Sequence, residues 1–158
     1  MPAPTPALDI RRLGSADLAL LRALNALFAS AFEDPASYAH SPPDDAYVQQ
    51  VLAQPHVFAL VALQAGAVVG GLVAYELPKL EQARSEVYLY DLAVAAHARR
   101  QGVATGLIRS LQAMARERGA WVVFVQADHS DPPAIALYEK LGLREEVLHF
   151  DLPLPSTG

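Results

Sequence analysis

From Val57 to Tyr75 the chain runs for nineteen residues in which Gln64 is the only conventionally polar side chain, long enough to cross a bilayer as a helix. The pattern inside the run favours a different structure. Gln64-Ala65-Gly66 at its centre is a turn signal, and the enrichment in Val suits two short buried strands, Val57 to Leu63 and Ala67 to Glu76, joined tightly. No Lys or Arg stands between Arg22 and Lys79, so no charge bias orients a span. The membrane reading is therefore the lesser one.

The same reading covers the rest of the chain. Leu8 to Leu13 predicts a strand. Ser15 is placed to cap a helix reaching Ala31, with Leu18, Leu21, Leu24, Leu27, Phe28 and Phe32 on its apolar face. Ser41-Pro42-Pro43-Asp44 opens a second helix, with Ser41 as cap, Pro42 in the first turn and Asp44 favouring the dipole. Its apolar face is Tyr47, Val48, Val51 and Leu52, and it stops before Pro55. A strand from Glu86 to Val94 follows a connection, Leu77 to Ser85, that is long for a hairpin and is a candidate binding loop. Between Gly102 and Arg118, Val103, Leu107, Leu111, Met114 and Ala115 keep helical spacing, and Gly119 supplies the stop. The near-continuous apolar run Trp121 to Ala127 predicts a strand covered on both faces. Asp131 and Pro132 open a short helix ending at Leu141 before Gly142, and a last strand is expected near Val147 to Leu152. The order β-α-α-β-β-β-α-β-α-β predicts an α/β fold, a mixed sheet with helices on both faces.

The 158 residues are 53% hydrophobic and 18% charged, with a mean hydropathy of +0.19, so a sizeable core is expected. One domain is expected over residues 8–152. It lies between extended tails at 1–7, with Pro2, Pro4 and Pro6, and 153–158, with Pro153 and Pro155. Neither tail has the basic start and apolar run of a signal peptide. The absence of Cys excludes disulfides, thiolate zinc sites and a cysteine acyl-enzyme, and suits the cytoplasm. A net charge of -5 argues against nucleic acid and favours cationic partners. That charge is uneven: residues 95–119 hold five Arg and one Glu, a net of +4, which leaves -9 for the remainder.

The positive segment coincides with the most informative motif. Tyr90-Asp91-Leu92-Ala93-Val94 leads, five residues on, into Arg99-Arg100-Gln101-Gly102-Val103-Ala104-Thr105. A strand passing through a Gly-containing loop into a helix N-terminus presents free amides and a favourable dipole to an anion, and phosphate is the natural guest. G-x-G-x-x-G, G-K-S/T, G-x-S-x-G and H-E-x-x-H are all missing, so dinucleotide, P-loop, serine-hydrolase and zinc-protease readings fall. The five His show no metal-ligand spacing, and no metal is expected.

On the predicted strand, Val87 and Leu89 share a face that Asp91 interrupts with a carboxylate. Such a group attracts an ammonium and can take its proton if partial burial raises its pKa above the usual value of about 3.9. The plainer alternatives are a loop cap or an ion pair with Arg84. Glu81, Glu86, Asp128, Asp131, Glu145, Glu146 and Asp151 supply further carboxylates, in keeping with the preference for cationic partners. Glu86, Asp128, Asp131 and Glu146 are the substrate-binding candidates, with His129 and His149 behind them.

Arg99-x-x-Gly102-x-Ala104 after an apolar strand, followed by Ala134-x-x-Leu137-Tyr138-Glu139-Lys140-Leu141-Gly142, resembles the GNAT superfamily of acetyl-CoA-dependent N-acetyltransferases. Glu81 through Val94 and Val125 through Asp151 look more closely like the aminoglycoside 3-N-acetyltransferases of type I, the gentamicin acetyltransferases. The resemblance covers roughly Leu13 to Asp151. It implies a V-shaped splay between two central strands, those ending near Val94 and Ala127, with acetyl-CoA in the gap. Arg99 to Thr105 (Arg99, Arg100, Gln101, Gly102, Val103, Ala104, Thr105) would hold its pyrophosphate, and Leu92, Ala93 and Val94 its pantetheine arm. It implies direct acetyl transfer to an amine of a polycationic aminosugar in a ternary complex, with Asp91 and Tyr138 as the catalytic pair. A phenol near pKa 10 facing a thiolate near 8.5 is about 2 kcal/mol uphill as a proton donor, so hydrogen-bonding to the leaving sulfur is as good a role for Tyr138. Asp131, followed by Pro132-Pro133, stands where the superfamily often has Asn. One strand fewer beyond Gly142 than many relatives have implies a homodimer whose partner subunit completes the sheet. The remaining alternatives are a polyamine or peptide amine as acceptor, and a CoA-binding sensor without turnover.

Overall fold

Gly70 and Gly71 show how the sheet is covered. Successive residues of a strand point to opposite faces. A Cβ on Gly70 would meet Val103 and Leu107, whereas one on Gly71 would meet Leu24. Two helices therefore pack against the same point of the sheet from opposite sides. The computed structural model describes residues 1–4 and 7–157; parts of both expected tails, residues 5, 6 and 158, lie outside the described residues. The chain forms two compact units, residues 1–126 and 127–158.

The first unit carries β1 (Asp9–Arg12), α1 (Leu18–Ala31), α2 (Pro35–Tyr38), α3 (Asp45–Leu52), β2 (Val57–Gln64), β3 (Ala67–Pro78), β4 (Ser85–Val94), α4 (Val103–Glu117) and β5 (Ala120–Val125). The strands lie in sequence order, antiparallel except for the parallel β4–β5 pair. This is the mixed sheet flanked by helices that the residue pattern predicts. The apolar run Val57 to Tyr75 is the β2–β3 hairpin. Ala65 and Gly66 both have positive φ, 49° and 79°, as a two-residue turn matched to strand twist requires. Leu24 and Phe28 of α1 and Val48 and Leu52 of α3 cluster with Ala59, Val61, Leu63 and Ala93. Val103, Leu107 and Leu111 of α4 are buried as well, α4 lying on the Gly70 side. Among the described residues no helix is long and apolar enough to cross a membrane.

Several local expectations are corrected. Ser15 does not cap α1. The helix begins at Leu18, and Asp17 turns back to accept from the Gly14 amide at 2.7 Å. Ser41 does not cap α3 either: Asp44 does, accepting from Tyr47 N at 2.8 Å, and Pro42 lies before the helix. The Leu77–Ser85 connection shortens because β3 runs to Pro78 and β4 starts at Ser85. Glu81 there pairs with Arg84 at 3.4 Å and Lys79 at 4.0 Å. β5 is the edge strand, none of its side chains is fully buried, and two-sided cover does not occur.

In the second unit α5 (Pro132–Leu141) starts at Asp131, whose Oδ1 accepts from Ala134 N at 3.2 Å. The expected strand Val147 to Leu152 is not formed. Its alternation is present in Leu148, Phe150 and Leu152, but these side chains are exposed, and no neighbouring strand pairs with the segment's backbone.

Candidate functional site

The site begins at an irregularity in β4. Val73 pairs with Asp91, yet Ala74 pairs with Leu89, so Tyr90 is an extra residue opposite β3. Such a bulge shifts the alternation by one position. Val87 and Leu89 are buried on the α4 side, opposite Glu76 and Ala74, while Asp91 lies opposite Val73, which packs into the α1 cluster. Asp91 therefore does not interrupt the face of Val87 and Leu89; the bulge turns it to the other face. There it is half-buried, and the Tyr38 hydroxyl of α2 donates to its Oδ1 at 2.7 Å. Burial pushes the Asp91 carboxyl above its ordinary value, against the opposing pull of that hydrogen bond. Burial and the neighbouring Asp91 both raise the Tyr38 phenol, which keeps it a donor. The Arg84 pairing is not made, since Arg84 reaches Glu81 instead.

Past the bulge, β4 loses its neighbour on one side. The pairing with β5 covers Ser85 to Leu89 and ends, so the edge from Tyr90 through Leu92, Ala93 and Val94 is open where the two strands part. Next comes a single 3-10 turn, Ala96–Ala98, and then the loop into α4. Arg100 and Gly102 both have positive φ, 61° and 79°, a left-handed alternation that turns consecutive amides toward one point. The amides of Val103, Ala104 and Thr105 have no intrahelical acceptor by position. Nothing lies within 4 Å of a Cβ on Gly102, so the loop is open to an incoming group. Arg99 Nε donates to Val94 O at 3.3 Å, tying the loop to the strand it leaves, and Gln101 Nε2 donates to His97 O at 3.1 Å within the connection itself.

The family model for the acetyltransferase (GNAT) family matches residues 21–143. The chain belongs to that family. A crystal structure of an aminoglycoside acetyltransferase from an uncultured soil metagenomic sample is 52% identical, covers 94% of this chain and 99% of its own, and superposes with a TM-score of 0.92. A second aminoglycoside acetyltransferase from such a sample, solved in complex with sisomicin, is 35% identical over 94% of this chain and 97% of its own, with a TM-score of 0.86. Among curated proteins, rat N-acetyltransferase family 8 member 2 is 28% identical over 112 residues, 61% of this chain and 50% of that protein. The chain thus spans about half the length of the curated relatives it matches.

GNAT acetyltransferases use acetyl-CoA, and the loop from Arg99 to Thr105 suits its pyrophosphate: it combines positive φ, free amides and net positive charge. Of the other expected residues, Glu86 is half-buried on β4 opposite Leu77, which puts it on the Asp91 face. Tyr138, Asp128, Asp131 and Glu146 belong to the second unit. Asp128 is exposed and its carbonyl accepts from Asp131 N, Asp131 caps α5, and Glu146 pairs with Arg144 at 2.7 Å. Burial, with a smaller contribution from the Asp131 charge, pushes the Tyr138 phenol up to about 12. His149 pairs with Asp151 at 2.9 Å. Among the described residues no group of His, Asp and Glu could hold a metal ion. The sequence reading missed Tyr38, because α2 is one turn long and carries no periodicity. An Asp34-Pro35 start, with Asp34 accepting from Ser37 N, was its one legible signal.

Proposed function

We propose that this chain transfers the acetyl group of acetyl-CoA to an amine of an aminoglycoside, the 3-amino group by its resemblance to the type I enzymes, and so confers resistance. The observation that carries the reading is Asp91, half-buried at a bulge where the open β4 edge leads into the anion-binding loop. The 52% identical relative supports the acceptor class, as does the relative solved with sisomicin. Acetyl-CoA supplies the acyl group as a thioester. The chain's own residues do the rest: the loop amides hold the pyrophosphate, and Asp91 Oδ2, free of the Tyr38 bond, takes the proton of the attacking amine. Tyr138 supports the leaving sulfur by hydrogen-bond donation. With its phenol near 12, full transfer to a thiolate near 8.5 is uphill by about 5 kcal/mol.

A thiol-release assay with acetyl-CoA tests the reading against gentamicin-type and kanamycin-type aminoglycosides, spermidine and peptides. Turnover with the aminoglycosides is expected, with product NMR placing the acetyl group on the 3-amine. Turnover confined to peptides or spermidine replaces the acceptor; CoA binding without turnover on any amine replaces the enzyme by a sensor.

Tyr38→Phe gives a second test. The lost bond favours the carboxylate, so its removal raises the Asp91 pKa further. The acidic limb of the kcat/KM profile is expected to move to higher pH, with a fall in kcat of roughly tenfold. A profile that keeps its limb while kcat falls would assign Tyr38 a packing role through its contacts with Phe28 and Phe32, at 5.6 and 5.4 Å between ring centroids.

A further inference from the structure

Five of the six tyrosines, at positions 38, 47, 75, 88 and 90, belong to the first unit, and three of them form one surface beside Asp91. The bulge makes this possible. Tyr88 lies opposite Tyr75 on the Asp91 face, and the extra residue, Tyr90, turns its ring to the same side. The Tyr90 ring meets Tyr75 edge-on at 6.2 Å and Tyr88 at 5.3 Å. Tyr88 in turn stacks on Phe124 of β5 at 4.7 Å, and its hydroxyl is tied to Gln126 at 2.7 Å. Tyr90 is 61% exposed and Tyr75 37%. The shelf is held rigidly yet open to solvent, whereas large aromatic groups gathered on a surface ordinarily mark a binding site. Its two ends are acidic. Glu86 and Asp91 sit on the same face of β4, separated by about 15 Å of strand.

We infer that the Tyr75–Tyr88–Tyr90 shelf is the subsite for a saturated, amine-bearing ring of the acceptor, whose other ammonium groups reach toward Glu86 while one amine meets Asp91. The inference deepens the proposed function and rests on it for the site. Aromatic faces carry negative charge density. On so exposed a surface they favour the C–H face of a ring polarised by its oxygen and nitrogen substituents, whereas strongly hydrated ammonium groups go to the carboxylates. A rigid ring covers the shelf in one pose. A linear polyamine brings the same charge but no face, so it gains from Glu86 and Asp91 and little from the shelf. The tyrosines therefore select shape, and the carboxylates select charge.

Binding rather than turnover tests this, by calorimetry on the full chain saturated with CoA, with a kanamycin-type aminoglycoside and spermidine as probes. Tyr90→Ala and Tyr75→Leu are each expected to weaken the aminoglycoside about tenfold and to leave spermidine within about twofold, while Tyr90→Phe retains parent affinity. Equal weakening of both probes, no weakening of either, or absence of aminoglycoside binding to the parent chain overturns the inference. Parent-level binding that depends on the shelf, without acetylation of the bound aminoglycoside, leaves the subsite standing and removes the proposed function. Loss of circular dichroism in one variant is resolved by the other, since Tyr75 and Tyr90 are on different strands.

Discussion

Asp91→Asn is expected to lower kcat for acetyl transfer by about 10²–10⁴-fold, the range of a positioned general base, with acetyl-CoA affinity within about twofold of the parent. Asn keeps the shape and still accepts from the Tyr38 hydroxyl, so loss of packing cannot account for the fall. The amide cannot take a proton from the attacking amine. An unchanged kcat would remove Asp91 from the base role and leave water as the relay.

The same substitution has an effect on stability with a definite sign. Burial disfavours the ionised carboxyl, so the folded chain holds this proton to higher pH than the unfolded chain, whose value is near 3.8. The contribution of Asp91 to stability is full below that pH and is lost as pH rises through the raised folded value. Asn has no charge to desolvate. The Tm of the variant relative to the parent is therefore expected to increase from below pH 4 toward neutrality, and a difference independent of pH would contradict the burial argument. A site that gains stability when its function is removed is what a desolvated catalytic group predicts.

How far the sequence carried the fold depended on the kind of signal. Long periodic elements were legible: α4 from Val103 to Leu111, the hairpin from Val57, and the loop with Gly102 each write their structure in residue spacing. What failed was set by contacts distant in sequence. Glu76 reads as a strand terminus, yet its side chain is 6% exposed, bonded by Arg118 at 2.6 Å and by Ser85 at 2.8 Å. Burial pushes its carboxyl up, and those bonds outweigh it and hold it low. Nothing local to Glu76 announces Arg118, forty-two residues away. The bulge at Tyr90 was hidden for the same reason, because an extra residue is defined only against the register of β3. Strict alternation along β4 singled out Asp91 but put it on the face of Val87 and Leu89, which the bulge overturns, and the tyrosines were invisible as a group until the bulge aligned them. The strand expected near Phe150 shows the converse: alternation supplies a face, but a strand also needs a neighbour for its backbone.

Gly71→Ala is expected to destabilise the fold by about 3 kcal/mol, near the top of the range for forced overpacking, a fall in Tm of roughly 6–12 °C for a chain of this size. A Cβ there would lie 2.7 Å from the Leu60 carbonyl oxygen and would collide with Leu24 Cδ1. Leu24 can change rotamer, but Leu60 O belongs to the backbone of β2 and cannot move without disturbing the ladder. Gly106→Ala is the control. Its Cβ meets only the side-chain tips of Ile10 and Leu8, at 3.2 and 3.4 Å, and within α4 alanine gains helix propensity of about 1 kcal/mol, so its Tm is expected to stay within a few degrees of the parent. Equal Tm values for the two variants would mean that β3 can shift at Gly71. That would weaken the argument that this glycine pair fixes where α1 and α4 close on the sheet, and with it the placement of the α4 N-terminus against Ala93 and Val94.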